Sequence, residues 1–411
     1  MSAMPSPLES PRMGTPAAES TSTASSYNLA IGYLRTFIVL LVVAHHAVLA
    51  YHPYAPAPPT SLVEQPRLWQ AFPVVDAHRW SPFSIFVTFN DIFFMSLMFL
   101  LSGLFVWPSI VRKGSAVFLR DRALRLGLPF VVAAAVVAPV AYYPTFLQTG
   151  ATSGVVGFWQ QWHFLGNWPA GPAWFLWLLL AFDCASALLY RLAPEWGETV
   201  GRMSRTAWYR PLAFWGILVA VSTIAYLPME LAFNAFSWST FGPFTFQTSR
   251  LLHYAVYFLA GVGLGAYGIE RGLLASDGEL AARWFRWVSA ALLTFVGAMI
   301  VIVIAITSQT RFWEVLGDLA FVISCATSSF AFLAVFVRFA QHRRAVLDNL
   351  MTNAYGIYLI HYAFVTWLQY AMLPASLSPV TKAVIVFLGT LALSWVSTAV
   401  LRSIPLIRRV V

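Results

Sequence analysis

Charge is scarce in this chain. Only 10% of its 411 residues are Asp, Glu, Lys or Arg, where a soluble domain carries about 25%. So little polar surface cannot solvate the two or three domains that a soluble chain of this length would form. Lysine is nearly missing, with Lys113 and Lys382 the only two among 25 basic residues. Cysteine is also rare. Cys184 and Cys325 fall in separate apolar runs and read as small buried hydrophobes, which excludes a disulfide-stapled secreted domain. The net charge of +9 is not gathered into the basic face with interleaved aromatics that nucleic-acid binding needs, so no nucleic-acid partner is expected. There is no HExxH and no Cys/His cluster, so no metal site is expected.

What is abundant is apolar sequence, at 59% of the chain. Runs of roughly 20 residues recur along it, the pattern of membrane-spanning helices. Ten spans are expected, near 30–51, 83–108, 127–148, 171–192, 212–232, 250–268, 287–307, 317–339, 350–372 and 380–401. The expected fold is all-α, a polytopic transmembrane helix bundle of about ten helices in contact with a lipid bilayer. Residues 1–26 are rich in Ser, Pro, Thr and Ala and read as a disordered cytoplasmic tail. Residues 404–411 read as a short basic cytoplasmic tail.

An even number of spans puts both termini on one side, and the Lys/Arg bias chooses it. With the termini cytoplasmic, 19 basic residues fall on inside segments and five on the outside: Arg67, Arg79, Arg250, Arg311 and Lys382. Arg35 lies within the first span. The outer segments differ in composition. Residues 52–82 are rich in proline and aromatics, and residues 158–168 read FWQQWHFLGNW. Both read first as an interfacial aromatic belt, with a sugar-facing vestibule the functional alternative, because aromatic faces and amides suit carbohydrate.

Ionisable groups inside a span are costly and mark function by default. The first span, IGYLRTFIVLLVVAHHAVLAY, places Arg35 and His46 eleven residues apart. At about 100° and 1.5 Å per residue they share a helix face, about 16 Å apart along the axis. His45 points about 80° away from Arg35. Imidazole suits general-base work, since its unperturbed pKa lies near neutrality, and His46 is the first choice for that role with His45 the alternative. Asp91 and Ser102 repeat the eleven-residue spacing in the second span, where Asp91 reads either as a functional carboxylate or as an arginine's partner. The segment RKGSAVFLRDRALRLGLPF follows. Arg120, Arg122 and Arg125 there serve either as positive-inside charge or as an anion clamp, with Arg122 and Arg125 on one helix face and guanidinium forks matched to phosphate oxygens. Pro129 is expected to break or open the next helix. Asp183, mid-span, pairs with an intramembrane arginine or acts chemically. Tyr355, Tyr358, His361 and Tyr362 recur at helical spacing in the ninth span. His361 reads as a buried, satisfied histidine or as a site residue.

Several of these segments together resemble the acyltransferase 3 family of integral-membrane acyltransferases, with the branch that modifies membrane-derived or periplasmic glucans the most similar. The resemblance is carried by Arg35 with His46, MSLMFLLSGLF at 95–105, FLRDRALRLGLPF at 118–130, AWFLWLLL at 173–180, HYAVYFLAGVGLG at 253–265 and YGIYLIH at 355–361. It runs in order over roughly residues 28–365 and implies an acyltransferase 3-like domain over 27–403. By it, an acyl group passes from a cytoplasmic acyl-CoA, acetyl-CoA or succinyl-CoA, to an acceptor hydroxyl on the outer face. The acceptor would be a cell-envelope carbohydrate or lipid-linked sugar. No permanently bound cofactor is implied. The family's essential arginine and histidine correspond to Arg35 and His46, and its RxxR pair to Arg122 and Arg125. Asp91 departs from the family pattern by lying about a helix turn upstream of the usual aspartate. Direct transfer and an acyl-histidine relay both remain open. The resemblance places the chain in a plasma membrane, the inner one in a bacterium. The competing reading is a proton-coupled exporter of a polar or lipid-linked solute, which would also use buried Arg, His and Asp.

Overall fold

The structure, a computed structural model, describes residues 22–63, 69–204, 210–268 and 272–410. Residues 1–21, and with them most of the expected tail and Arg12, lie outside the described residues, as do Arg67, Arg205 and Arg271. Helix α1 spans Ser22–Leu49, so it takes in the last five residues of the stretch expected to be unstructured.

The helices then follow in order. They are α2 (Phe83–Gly103), α3 (Val106–Lys113), α4 (Ser115–Gln148), α5 (Gly154–His163), α6 (Trp174–Leu192), α7 (Trp196–Met203) and α8 (Pro211–Phe233). After a hairpin come α9 (Leu251–Tyr267), α10 (Trp284–Ser308), α11 (Arg311–Phe339), α12 (Ala345–Met372) and α13 (Pro379–Arg402). The hairpin pairs β1 (Trp238–Phe241) antiparallel with β2 (Phe244–Gln247), Trp238 facing Gln247.

Each of the ten expected spans falls on a helix, and the fold is an all-α polytopic membrane bundle. Eight segments are long and apolar enough to cross a membrane, two fewer than expected. The two that differ are instructive. α9 has 17 residues, about 25 Å at 1.5 Å per residue, short of the roughly 30 Å hydrocarbon core. α12 has 28 residues but carries Asp348, Asn349, Asn353, His361 and Gln369, and of these Asn353, His361 and Gln369 are buried against the bundle. α1 packs against α2, α11, α12 and α13 and so forms the axis around which the others stand.

α2 and α9 approach backbone to backbone, as small residues permit in membrane bundles. A Cβ added at Gly261 would lie 2.0 Å from the Leu100 carbonyl oxygen, and one at Gly103 2.2 Å from that of Phe258. Gly261→Val is therefore expected to lower the thermal unfolding midpoint in detergent through a clash worth at least about 1–3 kcal/mol. Gly297→Val, where a Cβ meets nothing within 4 Å, is expected to leave it unchanged.

Pro129 does not break its helix. α4 continues for 34 residues by inserting π-helical turns at Ala123–Gly127 and Ala133–Val137, a common way to absorb an interruption of the backbone ladder. Pro129 has no N–H to give the Arg125 carbonyl, and the Tyr355 hydroxyl donates to that carbonyl instead. Trp168 Nε1 likewise donates to the Ala134 carbonyl at 2.7 Å.

The described residues of the segment 52–82 are pinned over one end of the bundle. Arg79 donates to the carbonyls of Pro53, Ala55 and Pro56. Thr145 Oγ1 donates to Pro73 O at 2.6 Å, and Gln148 bonds both backbone groups of Val75. Lys382 Nζ lies 2.7 Å from Asp76 Oδ2, both side chains almost fully buried. Burial and the nearby Arg79 guanidinium hold the His52 imidazole below its ordinary pKa. Removing one member of a buried ion pair leaves an uncompensated charge at a cost of about 3–5 kcal/mol. Lys382→Met is thus expected to loosen this segment, read as faster proteolysis between residues 52 and 82.

Candidate active site

Two cavities lie on the axis of the bundle. The larger, about 610 Å³, opens under the pinned segment and the hairpin. The smaller, about 230 Å³, lies toward the end that carries Arg112, Arg122 and Arg125. The same helices line both, one turn apart. α1 gives Val42, His45 and His46 to the large cavity and Arg35 and Val39 to the small one. α2 gives Asp91 and Met95 to the large, Met98 and Ser102 to the small. The two eleven-residue spacings therefore have one meaning: each helix presents a polar group to each cavity.

His46 lines the large cavity. Its Nδ1 lies 2.8 Å from the Val42 carbonyl oxygen. A carbonyl only accepts, so in neutral His46 the proton sits on Nδ1 and Nε2 carries the free lone pair. His361, with no exposed surface, is fixed the same way by the Tyr358 carbonyl at 2.6 Å from its Nδ1. That leaves His361 Nε2 as an acceptor, 3.4 Å from His46 Nδ1. The Tyr362 ring stands edge-on to His46, centroids 5.1 Å apart. An imidazolium formed at His46 would thus have a carbonyl and a neutral imidazole facing its Nδ1–H. His45 lines the same cavity with its ring 5.3 Å from Phe94, but its Nδ1 is buried without a hydrogen-bond partner. Of the two adjacent histidines, only His46 has its tautomer set by a neighbour.

Asp91 is an arginine's partner, as one of its two readings had it, and it also lines the cavity. Arg250 donates to its Oδ2 at 2.7 Å and to its backbone oxygen at 3.0 Å, and the side chain still keeps 46% of its surface accessible. Arg250, read from sequence only as an outer charge, is buried and stands over the Phe321 ring. The rest of the lining is aromatic and amide: Trp174, Trp238, Tyr142, Tyr254, Gln70, Asn167 and Gln247 among others. Gln70 and Asn167 are hydrogen-bonded to each other at 3.0 Å. Both come from the segments whose composition suited a vestibule.

In the small cavity Arg35 is an exposed side chain in a closely packed helix, its guanidinium 6.0 Å from the Phe105 ring centre. No carboxylate of the described residues lies within ion-pair distance of it. Arg122 is turned inward onto buried Asp183, Nε to Oδ2 3.2 Å, which places Asp183 as an ion-pair partner. Arg125 and Arg120 are exposed. Arg122 precedes the π turn at Ala123–Gly127 and Arg125 lies within it, so their step along the helix departs from the α-helical one. Arg120 lies 3.8 Å from Asp121. Cys325 is buried, 3.5 Å from His253 Nε2, whereas Cys184 is exposed, against the expectation that both are buried. Among the described residues, no three His, Cys, Asp or Glu side chains gather into a possible metal site.

Sequence reasoning did not single out Arg250, Gln70 or Asn167. Composition picks out only the segments that hold Gln70 and Asn167, and each of the three residues is defined by a partner far along the chain.

No curated protein and no solved structure matches the chain. A family model described as an acyltransferase domain matches residues 28–399, which takes in both cavities and every helix from α2 to α12. The chain belongs to the acyltransferase 3 family and is an integral, multi-pass membrane acyltransferase.

Proposed function

We propose that this acyltransferase moves a short acyl group from a cytoplasmic acyl-CoA to a hydroxyl of a cell-envelope glycan or lipid-linked sugar. The observation that carries the reading is the division of labour on α1. His46 faces a cavity lined by aromatics and amides, and Arg35 faces a second cavity at the arginine-rich end. Positive-inside bias makes that end cytoplasmic, with both termini on the same side and the large cavity facing outward. In a bacterium the membrane is the inner one.

Arg35, carrying no carboxylate partner, binds an anionic part of the donor. Arg125 and Arg120 meet the donor's phosphates at the mouth, and Arg122 joins them by sharing its guanidinium between phosphate and Asp183. The eleven residues from Arg35 to His46, about 16 Å, suit the extended pantetheine arm that separates a CoA's phosphates from its thioester. Arg35 therefore serves the donor rather than the developing oxyanion. In the large cavity, aromatic faces stack on sugar rings while Gln70, Asn167 and Asp91 accept or give hydrogen bonds to hydroxyls.

The transfer is direct. His46 Nε2 takes the proton of the acceptor hydroxyl as its oxygen attacks the thioester carbonyl carbon. The C–O bond forms, the C–S bond breaks, and the departing thiolate takes the proton back from His46, leaving ester and free CoA. His361 is a positioning residue that holds the His46 tautomer and stabilises the transient imidazolium.

The test is purified protein in nanodiscs, titrated with CoA and monitored by thermal shift, together with acyl-CoA consumption by membranes containing envelope glycans. Stabilisation by CoA and acceptor-dependent release of free CoA are expected. Absence of both would overturn the reading.

A further inference from the structure

The two cavities are separated by a wall only one helix turn thick. Met95 lines the large cavity and Met98, one turn on, the small one; Val42 and Val39 stand in the same relation on α1, and Pro172 and Phe175 at the start of α6. Tyr358 alone lines both, and its hydroxyl donates to the Pro172 carbonyl. Every group in this wall is apolar except that phenol. The wall carries no cation, and Arg35 lies on its inner side. Beyond it, among the described residues, the ionised side chain lining the large cavity is Asp91, whose partner Arg250 is already occupied by it.

The geometry points to this wall as the element that selects the acyl group: it passes a short, uncharged acyl thioester and rejects a dicarboxylic one. The inference rests on the acyltransferase reading and narrows its donor. A carboxylate at the end of the acyl chain would be stripped of water among two methionines, two valines, Phe175 and Tyr358, with no cation to receive it. Burying an unpaired charge is prohibitive. On the far side it would meet the like charge of Asp91. A neutral acetyl meets neither penalty. Chain length is limited for a different reason. Met95 and Met98 are unbranched and adaptable, so they fit closely around a small group, and each additional methylene must displace them. One methylene in a tight apolar site is worth about 10- to 200-fold in specificity.

The experiment uses membranes carrying the full chain, given labelled acetyl-CoA, succinyl-CoA or butyryl-CoA, with incorporation into envelope material as the readout. Acetyl incorporation at least about 100-fold more efficient than succinyl is expected, with butyryl between them. Met98→Ala is expected to raise butyryl relative to acetyl by about tenfold or more and to leave succinyl excluded. CoA-induced thermal stabilisation verifies that the variant is folded, and Met95→Ala replaces it if Met98→Ala is not. Succinyl transferred as well as acetyl, or a folded variant with an unchanged butyryl preference, would overturn the selecting wall while leaving the acyltransferase reading intact. Incorporation of no label at all would overturn both.

Discussion

His46→Ala is expected to lower acyl transfer by about 10²- to 10⁴-fold, the usual contribution of a positioned general base. CoA-induced thermal stabilisation should survive, because the proposed function puts the donor's phosphates at the other cavity. The two readouts together separate a chemical role from a structural one. His45→Ala is the paired comparison. His45 borders the same cavity but has no partner that fixes its proton, so its loss should cost far less. A reversed order, with His45→Ala the more damaging, would move the base by one residue. His361→Gln keeps a side chain that can hydrogen-bond at a similar depth and should retain more activity than His361→Ala, which leaves His46 Nδ1 with Val42 alone.

Arg35→Met is expected to act on the donor. A charge-assisted hydrogen bond contributes about 1.5–3 kcal/mol, or roughly 10- to 150-fold in affinity. The KM for acyl-CoA should rise by that factor while the KM for the acceptor is unchanged. Methionine preserves most of the apolar stem, and no ion pair is lost among the described residues, so the fold should hold. Thermal unfolding without ligand checks this. A fall in kcat alone, at constant donor KM, would place Arg35 at the reacting carbonyl, contrary to its position on the small cavity.

Much of this site is legible in the sequence because charge is so scarce. Arg35, His46 and Asp91 stand out against apolar neighbours, and helical arithmetic correctly pairs residues eleven apart onto one face. Periodicity also places each of the ten expected spans on a helix, while the short α3, α5 and α7 carry no such signal. It fails where local regularity is broken. The π turns around Pro129 are invisible to a 3.6-residue pattern, so the environments of Arg122 and Arg125 cannot be read from their i, i+3 spacing. It is silent on long-range pairing: Arg250 reaches Asp91 across 159 residues and His361 reaches His46 across 315. The aromatic and amide segments 52–82 and 158–168 read from sequence as a membrane belt or a vestibule, and composition does not reveal that Gln70 and Asn167 join at the cavity wall. Composition reports which groups are available, and only the fold decides which of them meet.

The claim that a donor enters at the arginine-rich end and an acceptor at the other is tested most directly by sidedness. Sealed inside-out vesicles carrying the protein would be given acyl-labelled CoA on the outside, with glycan acceptor enclosed. The expected result is label on the enclosed glycan, free CoA outside, and loss of both products with His46→Ala. Label appearing only on acceptor added to the outside, or CoA accumulating within the vesicles, would contradict it.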